Sequence, residues 1–383
     1  MPDRLKHDRV LHVIDHLTAA SGVASVVMLC ITGIKHVPQD VAVYGKCDET
    51  LKKTVESCGG RVHKLPDITG SFGLKYQMAF SKLLQNNPYH IIHGHLLNAA
   101  FIYLRLAKKH HIPHRMIHAH SIGVSSPIKR FRNNILSSKI PLWANYYIAV
   151  SEKAARFSFE KLHINLDDVN IIYNGIDTGR FKYDPTVRLS IRRELEIPDD
   201  VLCIGHVGRF AREKNHKFLL NVLREMRKKA DCLLLFAGSG PLLSSIIKKA
   251  NSMGISDSVK FLGVRFDIER IYQAFDVFML PSLVEGFPLS PIEAQCAGLG
   301  CVISDNVPHS VTCSEHIRFL PLDTPKAWSD VAFEMAGSPR TDGSPDVIKA
   351  KLDVNSMCRN ISNIYDSMNN NETPIPGEDK ELL

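Results

Sequence analysis

Two acidic residues, Glu285 and Glu293, stand in the segment Leu280-Pro-Ser-Leu-Val-Glu-Gly-Phe-Pro-Leu-Ser-Pro-Ile-Glu-Ala294. The apolar run at 277–280 reads as a buried strand that ends at Pro281, and a short glycine-containing loop follows it. Pro288 suits the first turn of a new helix, because the amide it lacks would have no intrahelical partner there anyway. A strand that turns into a helix in this way offers backbone amides and the positive end of a dipole, which suits a diphosphate. Glu285 in the loop and Glu293 on the helix then reach different parts of one extended ligand, and a carboxylate on a ribose diol is a familiar use of such a group. Each also has a plain alternative, a favourable charge near a helix start for Glu285 and a solvated helix position for Glu293.

A second phosphate-directed segment weakens the plain alternative. Gly205-His-Val-Gly-Arg-Phe-Ala-Arg-Glu-Lys-Asn215 follows the β-like run 201–207 directly. Gly208 lets the backbone approach a ligand, Arg209 presents a bidentate fork and Lys214 a point charge for phosphate oxygens. Both segments fall at strand C-termini.

The elements that must position them form two series of short β-rich runs alternating with longer helical stretches. The first comprises 11–17, 41–45, 61–65, 91–95, 116–120, 147–150 and 171–173, with helical patterns at 72–85 and 99–109. The second comprises 201–207, 232–237, 259–262, 277–280, 301–304 and 318–320. Such alternation predicts parallel sheets covered on both faces, α/β throughout. Between the series the pattern lapses over 177–200, which reads as a linker, with Asn174-Gly175 as a tight turn of positive φ. The expected domains are 1–177 and 178–354, then a helix at 355–368 returning to the first domain, with Ile361, Ile364, Tyr365 and Met368 on one face. Residues 369–383, polar and aperiodic, read as a disordered tail. Two open sheets with their strand ends toward a shared crevice predict a cleft enzyme.

The composition is compatible with this. The 383 residues, 44% of them apolar, suffice for two ordinary cores. The longest apolar stretch, 22–34, is too short to span a bilayer and has no signal-peptide cleavage site after it, so a cytosolic protein is expected. Nine scattered cysteines lack C-x-x-C or zinc-type spacing. The net charge of +7 is uneven: residues 1–180 hold 23 Lys/Arg against 13 Asp/Glu, and residues 181–383 hold 24 against 27. The basic first half points to an anionic membrane surface, to a phosphate-bearing acceptor or to nothing more than a solvated face; no nucleic-acid partner is expected.

Four histidines, His93, His95, His118 and His120, lie near strand ends in the first half. Histidines at such positions are often satisfied structural residues. The H-x-H pairs suggest a metal, but alternating strand residues are expected to face opposite ways and no Asp or Cys lies nearby in sequence; D-x-D is absent as well. No metal and no cofactor are expected.

Taken as an ordered set, Glu285-x(7)-Glu293, Gly208-Arg209-x(4)-Lys214, Phe236-Ala-Gly-Ser-Gly-Pro241, Val259-Lys-Phe-Leu-Gly263 and Asn174-Gly-Ile-Asp177 resemble glycosyltransferase family four. The N-terminal runs Ile91-Ile-His-Gly-His95, Met116-Ile-His-Ala-His120 and Ile148-Ala-Val-Ser151 are similar in style to its capsular and exopolysaccharide branch. The resemblance implies a GT-B fold, two Rossmann-like doubly wound parallel-sheet domains facing a central cleft. It implies a retaining transferase, with a nucleotide-sugar (UDP favoured by the branch) as donor and a glycan or lipid-diphosphate-linked acceptor. By the same resemblance Arg209 and Lys214 hold the donor diphosphate with the backbone around Gly286, Phe287 and Leu289, and Glu293 grips the ribose. Glu285 and His120 are then the catalytic pair at the transferred sugar, and the turn at Gly263, Val264 and Arg265 meets the base. Where the family carries two adjacent glycines after its first strand, this chain has Ala20-Ser-Gly22, and Gly22 alone is left to admit the diphosphate.

The branch also implies work at the inner face of the cytoplasmic membrane. Residues 128–139 mix apolar and basic side chains in a pattern that serves either docking on anionic lipid or packing on the sheet. Other readings are a non-catalytic nucleotide-sugar-binding or regulatory protein of the same fold, and a Rossmann oxidoreductase, which the absence of G-x-G-x-x-G with an acidic ribose partner disfavours.

Overall fold

The computed structural model describes residues 9–19, 21–68, 73–120 and 137–370. The chain divides into two units, one made of residues 1–174 with 355–383 and the other of residues 175–354. Most of residues 128–139, and the proposed tail beyond 370, lie outside the described residues.

The first unit is built on seven parallel strands: β1 (Val10–Ile14), β2 (Gln39–Val43), β3 (Val62–Lys64), β4 (Ile91–Gly94), β5 (His114–Ala119), β6 (Tyr146–Ala149) and β7 (Val169–Ile171), in the order β3-β2-β1-β4-β5-β6-β7. β1, β2 and β4 are buried along their whole length, as strands covered on both faces must be. The apolar stretch at 22–34 forms the helix Gly22–Gly33, and Ser21 caps it by accepting the Ala24 amide at 3.2 Å. No helix among the described residues is long and apolar enough to cross a membrane. The helix Val354–Asn369 packs in this unit, and Ile361, Ile364, Tyr365 and Met368 are all buried.

The second unit has six parallel strands: β8 (Leu202–Val207), β9 (Cys232–Ala237), β10 (Val259–Gly263), β11 (Val277–Leu280), β12 (Gly300–Ser304) and β13 (Ile317–Leu320), in the order β10-β9-β8-β11-β12-β13. Its core surrounds Trp328, Phe210, Phe236 and Leu223, each at most 1% exposed. In both sheets the chain order reverses beside the first strand, between β1 and β4 and between β8 and β11. Ligands of doubly wound sheets bind outside the strand ends at these switch points.

Two local expectations are corrected. Residues 177–200 are not a linker: they form helices Thr178–Phe181 and Pro185–Glu194, the latter capped by Asp184. Arg188 and Arg192 on the longer helix both bond Asp276, which also accepts the Cys203 amide at 2.7 Å, so charge pairing docks the segment together with buried Phe181, Ile191 and Ile197. The turn at Asn174-Gly175 does not use positive φ. Gly175 serves close approach instead, since a Cβ there would fall 2.3 Å from the Asp353 carbonyl oxygen.

Candidate active site

The parallel pairing of Ile204 with Val277 and Gly205 with Phe278 sets β8 and β11 side by side, so the two phosphate-directed segments emerge together. After β8 the chain passes Gly208 and Arg209 into the 3-10 turn Arg212–Lys214. Gly238, at the end of β9, has φ +140° and no room for a side chain, because a Cβ would lie 2.1 Å from the Gly208 carbonyl oxygen. The loop after β11 is tied to the one after β8 twice: the Leu283 amide donates to the Glu213 carbonyl at 2.7 Å, and Lys214 Nζ donates to Glu285 Oε1 at 2.6 Å. That same carboxylate oxygen accepts the Ser282 hydroxyl at 2.6 Å. The Lys214 and Glu285 side chains are 17% and 12% exposed, a sheltered pair in which removal of one partner leaves the other poorly compensated. Arg209 is exposed and has no ion-pair partner among the described residues.

The helix after this loop is Ser290–Cys296, so Pro288 stands outside it and Pro291 occupies the first turn. Pro291 has no amide, and the Ile292 and Glu293 amides both bond the Leu289 carbonyl at 2.9 Å. The helix end therefore offers fewer amides than expected. Leu289 is the capping position and Phe287 is buried, with Gly286 between Phe287 and Glu285. Glu293 Oε2 accepts the Tyr272 hydroxyl at 2.7 Å, and burial raises the Glu293 pKa. Its Oε1 has no hydrogen-bond partner among the described residues.

At the end of β10, Gly263 accepts the Gly238 amide at 2.7 Å and Val264 is 55% exposed. Arg265 is committed elsewhere, with Nε 2.8 Å and Nη2 2.7 Å from the Asp267 carboxylate and Glu194 at 3.3 Å. Phe266 beside it, 78% exposed, offers an aromatic face that sequence reasoning passed over. Ser282 and Tyr272, which hold the two glutamates, were missed too, for neither stands at a motif spacing. In the first unit Gly22 opens its helix, and a Cβ there would meet nothing within 4 Å.

The histidines form a cluster rather than separate residues. His12 on β1, opposite His93 in the β1–β4 register, joins His93 and His95 after the strand pairing, and β5 supplies His118 with His120 just beyond its end. The His93 and His95 rings stack at 4.3 Å, against the expectation that they diverge, because residues two apart on a strand share a face. His12 Nδ1 is 3.0 Å from His95 Nε2, and His95 Nδ1 is 2.7 Å from His120 Nε2. His93 bonds the Tyr365 hydroxyl at 2.6 Å and His118 Nδ1 at 3.2 Å. One ring nitrogen from each of His95, His118 and His120, and likewise from His12, His93 and His95, lies within 4.8 Å of the others. Two nitrogens on one tetrahedral zinc would stand ~3.3 Å apart, given the usual zinc–nitrogen bond. The closest pairs, at 2.7 and 3.0 Å, have the spacing of ring nitrogens that share a proton.

Burial lowers the pKa of His12 to about 4 and of His120 to about 3, and lowers His93, His95 and His118 well below 6.5. These rings are neutral in the folded chain at pH 7. Unfolding releases them to titrate near 6.5, so the unfolded chain binds protons that the folded one refuses once the pH drops below that value. The first unit is therefore expected to keep full stability above pH 6.5 and to lose it progressively toward pH 4, by up to about 1.4 kcal/mol per pH unit for each such histidine. Urea unfolding followed at pH 7.5, 6.0 and 5.0 checks this. A midpoint that stays constant down to pH 5 would contradict buried neutral rings.

With this geometry in place, comparison with known proteins defines the class. Residues 187–318 match the family described as glycosyl transferases group 1, and residues 20–180 match glycosyltransferase family 4. A Bacillus subtilis (strain 168) protein named as the glycosyltransferase EpsF is 30% identical over 87% of this chain and 88% of its own length. CapH of Staphylococcus aureus, named a capsular polysaccharide biosynthesis glycosyltransferase, is 24% identical over 85% and 88%. An Escherichia coli protein named UDP-Gal:alpha-D-GlcNAc-diphosphoundecaprenol alpha-1,3-galactosyltransferase is 25% identical over 61% and 62%. Among solved structures, Anabaena Alr3699/HepE in complex with UDP and glucose matches with a TM-score of 0.77 at 19% identity, covering 94% of this chain and all of that one. WaaG, a glycosyltransferase involved in lipopolysaccharide biosynthesis, matches at 0.72 and 14%, covering 93% and 99%. The two doubly wound sheets have the GT-B fold, and the protein is a glycosyltransferase. It belongs to glycosyltransferase family 4.

Proposed function

We propose that this protein transfers a sugar, with retention of anomeric configuration, from a UDP-sugar to a glycan or lipid-diphosphate-linked acceptor in cell-surface polysaccharide synthesis. The observation that carries the reading is the Lys214–Glu285 pair, which binds the loops after β8 and β11 at a switch point of the sheet, beside exposed Arg209. The names of CapH and of the Escherichia coli galactosyltransferase, and the UDP bound by the Anabaena protein, support the choice of donor and acceptor class.

In this reading Arg209, Lys214 and the backbone at Gly286, Phe287 and Leu289 take the diphosphate, with Gly22 allowing close approach. Glu293 Oε1 takes the ribose hydroxyls, and Gly263 with Val264 meets the base. Glu285 and His120 serve the transferred sugar. As the anomeric bond breaks, negative charge grows on the diphosphate and positive charge on the sugar carbon. Two cationic side chains address the first, and the Glu285 carboxylate stabilises the second without forming a bond to it. The acceptor attacks on the face the diphosphate leaves, and a diphosphate oxygen takes its proton.

Side-chain cations in this role make a divalent metal unnecessary. Transfer is expected to run at its full rate in excess EDTA, measured by mass spectrometry after a screen of nucleotide-sugar donors against lipid-linked acceptors. Activity lost in EDTA and restored by magnesium or manganese would overturn metal independence, and a donor that binds but is neither hydrolysed nor transferred would overturn catalysis.

A further inference from the structure

Gln39, the first residue of β2, is 3% exposed and its side chain makes three hydrogen bonds. Its amide nitrogen lies 3.1 Å from the Cys30 carbonyl oxygen and 2.9 Å from that of Ile34, and its Oε1 lies 2.9 Å from His12 Nε2. Carbonyl oxygens only accept, so the NH2 group must face Cys30 and Ile34 and the amide oxygen must face the histidine. An amide oxygen also only accepts, so His12 carries its proton on Nε2.

From that point each assignment forces the next. A neutral imidazole has one N–H and one lone pair. With Nε2 protonated, His12 Nδ1 is the lone pair and accepts from His95 Nε2 at 3.0 Å. His95 therefore has its proton on Nε2, and its Nδ1 accepts from His120 Nε2 at 2.7 Å. His120 is left with its proton on Nε2 and a lone pair on Nδ1, which has no hydrogen-bond partner among the described residues. The opposite tautomers would set oxygen lone pairs against oxygen lone pairs at Cys30 and Ile34, and a charged ring would place a cation where burial makes it costly.

We propose that Gln39, His12 and His95 are positioning residues that fix the tautomer of His120, holding its proton on Nε2 so that Nδ1 is presented as an uncharged acceptor for a substrate hydroxyl. The C-terminal end of the helix Gly22–Gly33 is thus linked to the reaction through the carbonyls of Cys30 and of the capping residue Ile34, which orient Gln39. The effect on transfer rests on the assignment of His120 to the donor sugar under Proposed function; the tautomer itself does not.

The test reads the tautomer directly. In full-length protein labelled with nitrogen-15 at histidine, long-range proton–nitrogen spectra at pH 7.5 distinguish protonated from bare ring nitrogens, with signals assigned from single-histidine variants. His12, His95 and His120 are expected to be protonated at Nε2 and bare at Nδ1. Gln39→Met keeps the side-chain length and removes the acceptor, so His120 becomes a mixture of tautomers and the transfer rate falls in proportion to the competent fraction, about twofold for an even mixture. His95→Gln supplies an amide that can donate to His12 and accept from His120, and preserves the His120 tautomer, whereas His95→Leu loses it. Thermal unfolding confirms that each variant is folded, and comparison between the two His95 variants carries the test should Gln39→Met fail to fold. A wild-type His120 protonated at Nδ1, or a His120 tautomer unchanged in folded His95→Leu, overturns the proposal. A tautomer that shifts in Gln39→Met with no change in transfer leaves the relay standing and overturns the place of His120 in the reaction.

Discussion

Lys214→Ala is expected to lower kcat/KM about 10²- to 10³-fold, the loss typical when a preorganised group facing developing charge is removed. Two effects act in the same direction. In our reading the ammonium that meets the leaving diphosphate is gone, and Glu285, 12% exposed, is left with the Ser282 hydroxyl at 2.6 Å as its side-chain partner among the described residues. An unpaired sheltered carboxylate repels the incoming diphosphate, so nucleotide affinity falls with the rate. Glu285→Ala behaves differently: it leaves the cation and chiefly lowers turnover, because in our reading Glu285 serves the sugar. The double variant separates the contributions. If repulsion by the stranded Glu285 matters, Lys214→Ala with Glu285→Ala binds UDP more tightly than Lys214→Ala alone, a coupling that a double-mutant cycle by calorimetry measures. A Lys214→Ala enzyme within threefold of wild type in kcat/KM would remove Lys214 from the diphosphate.

The second large effect is expected at Glu293. Glu293→Ala should weaken UDP binding about 10- to 100-fold, the range for hydrogen bonds made by a charged group, roughly 1.5–3 kcal/mol. The geometry is specific about which atom is lost. Oε2 is held by the Tyr272 hydroxyl at 2.7 Å, which aims Oε1 rather than satisfying it. Tyr272→Phe therefore should give a smaller loss of affinity than Glu293→Ala, by freeing the carboxylate to rotate. Because burial already raises the Glu293 pKa, a bound diol that bonds the ionised form should lower it again, and UDP affinity should decline on acidification earlier in Tyr272→Phe, which lacks the phenol that favours ionisation. Equal affinity of wild type and Glu293→Ala for UDP, by isothermal titration, would refute the ribose assignment.

Much of this architecture was legible residue by residue. Runs such as 232–237 and 277–280 coincide with β9 and β11, because a strand buried on both faces must be apolar along its length. The gathering of Gly208, Arg209, Lys214 and Glu285 at the ends of β8 and β11, with Glu293 on the helix that follows, was legible from their place after such runs. The segment 177–200 was not legible, since Arg188 and Arg192 dock it through Asp276, a partner more than 80 residues on that no periodicity reveals.

The same limit separates motif from mechanism. Local pattern carries strand, helix and loop, because propensity and burial act over a few neighbours. Which strand ends meet is set by sheet order, and that is a property of the folded whole: the switch between β8 and β11 brings Lys214 to Glu285 across 71 residues. In the first sheet the β2-β1-β4-β5 order brings Gln39, His12, His95 and His120 into one hydrogen-bonded line, with His12 and His95 separated by 83 residues. Neither Gln39 nor His12 has any sequence mark of a role, and His95 looked like half of a metal motif. A ring nitrogen's proton is decided by the atom it faces, and that atom is supplied only when the strands are side by side.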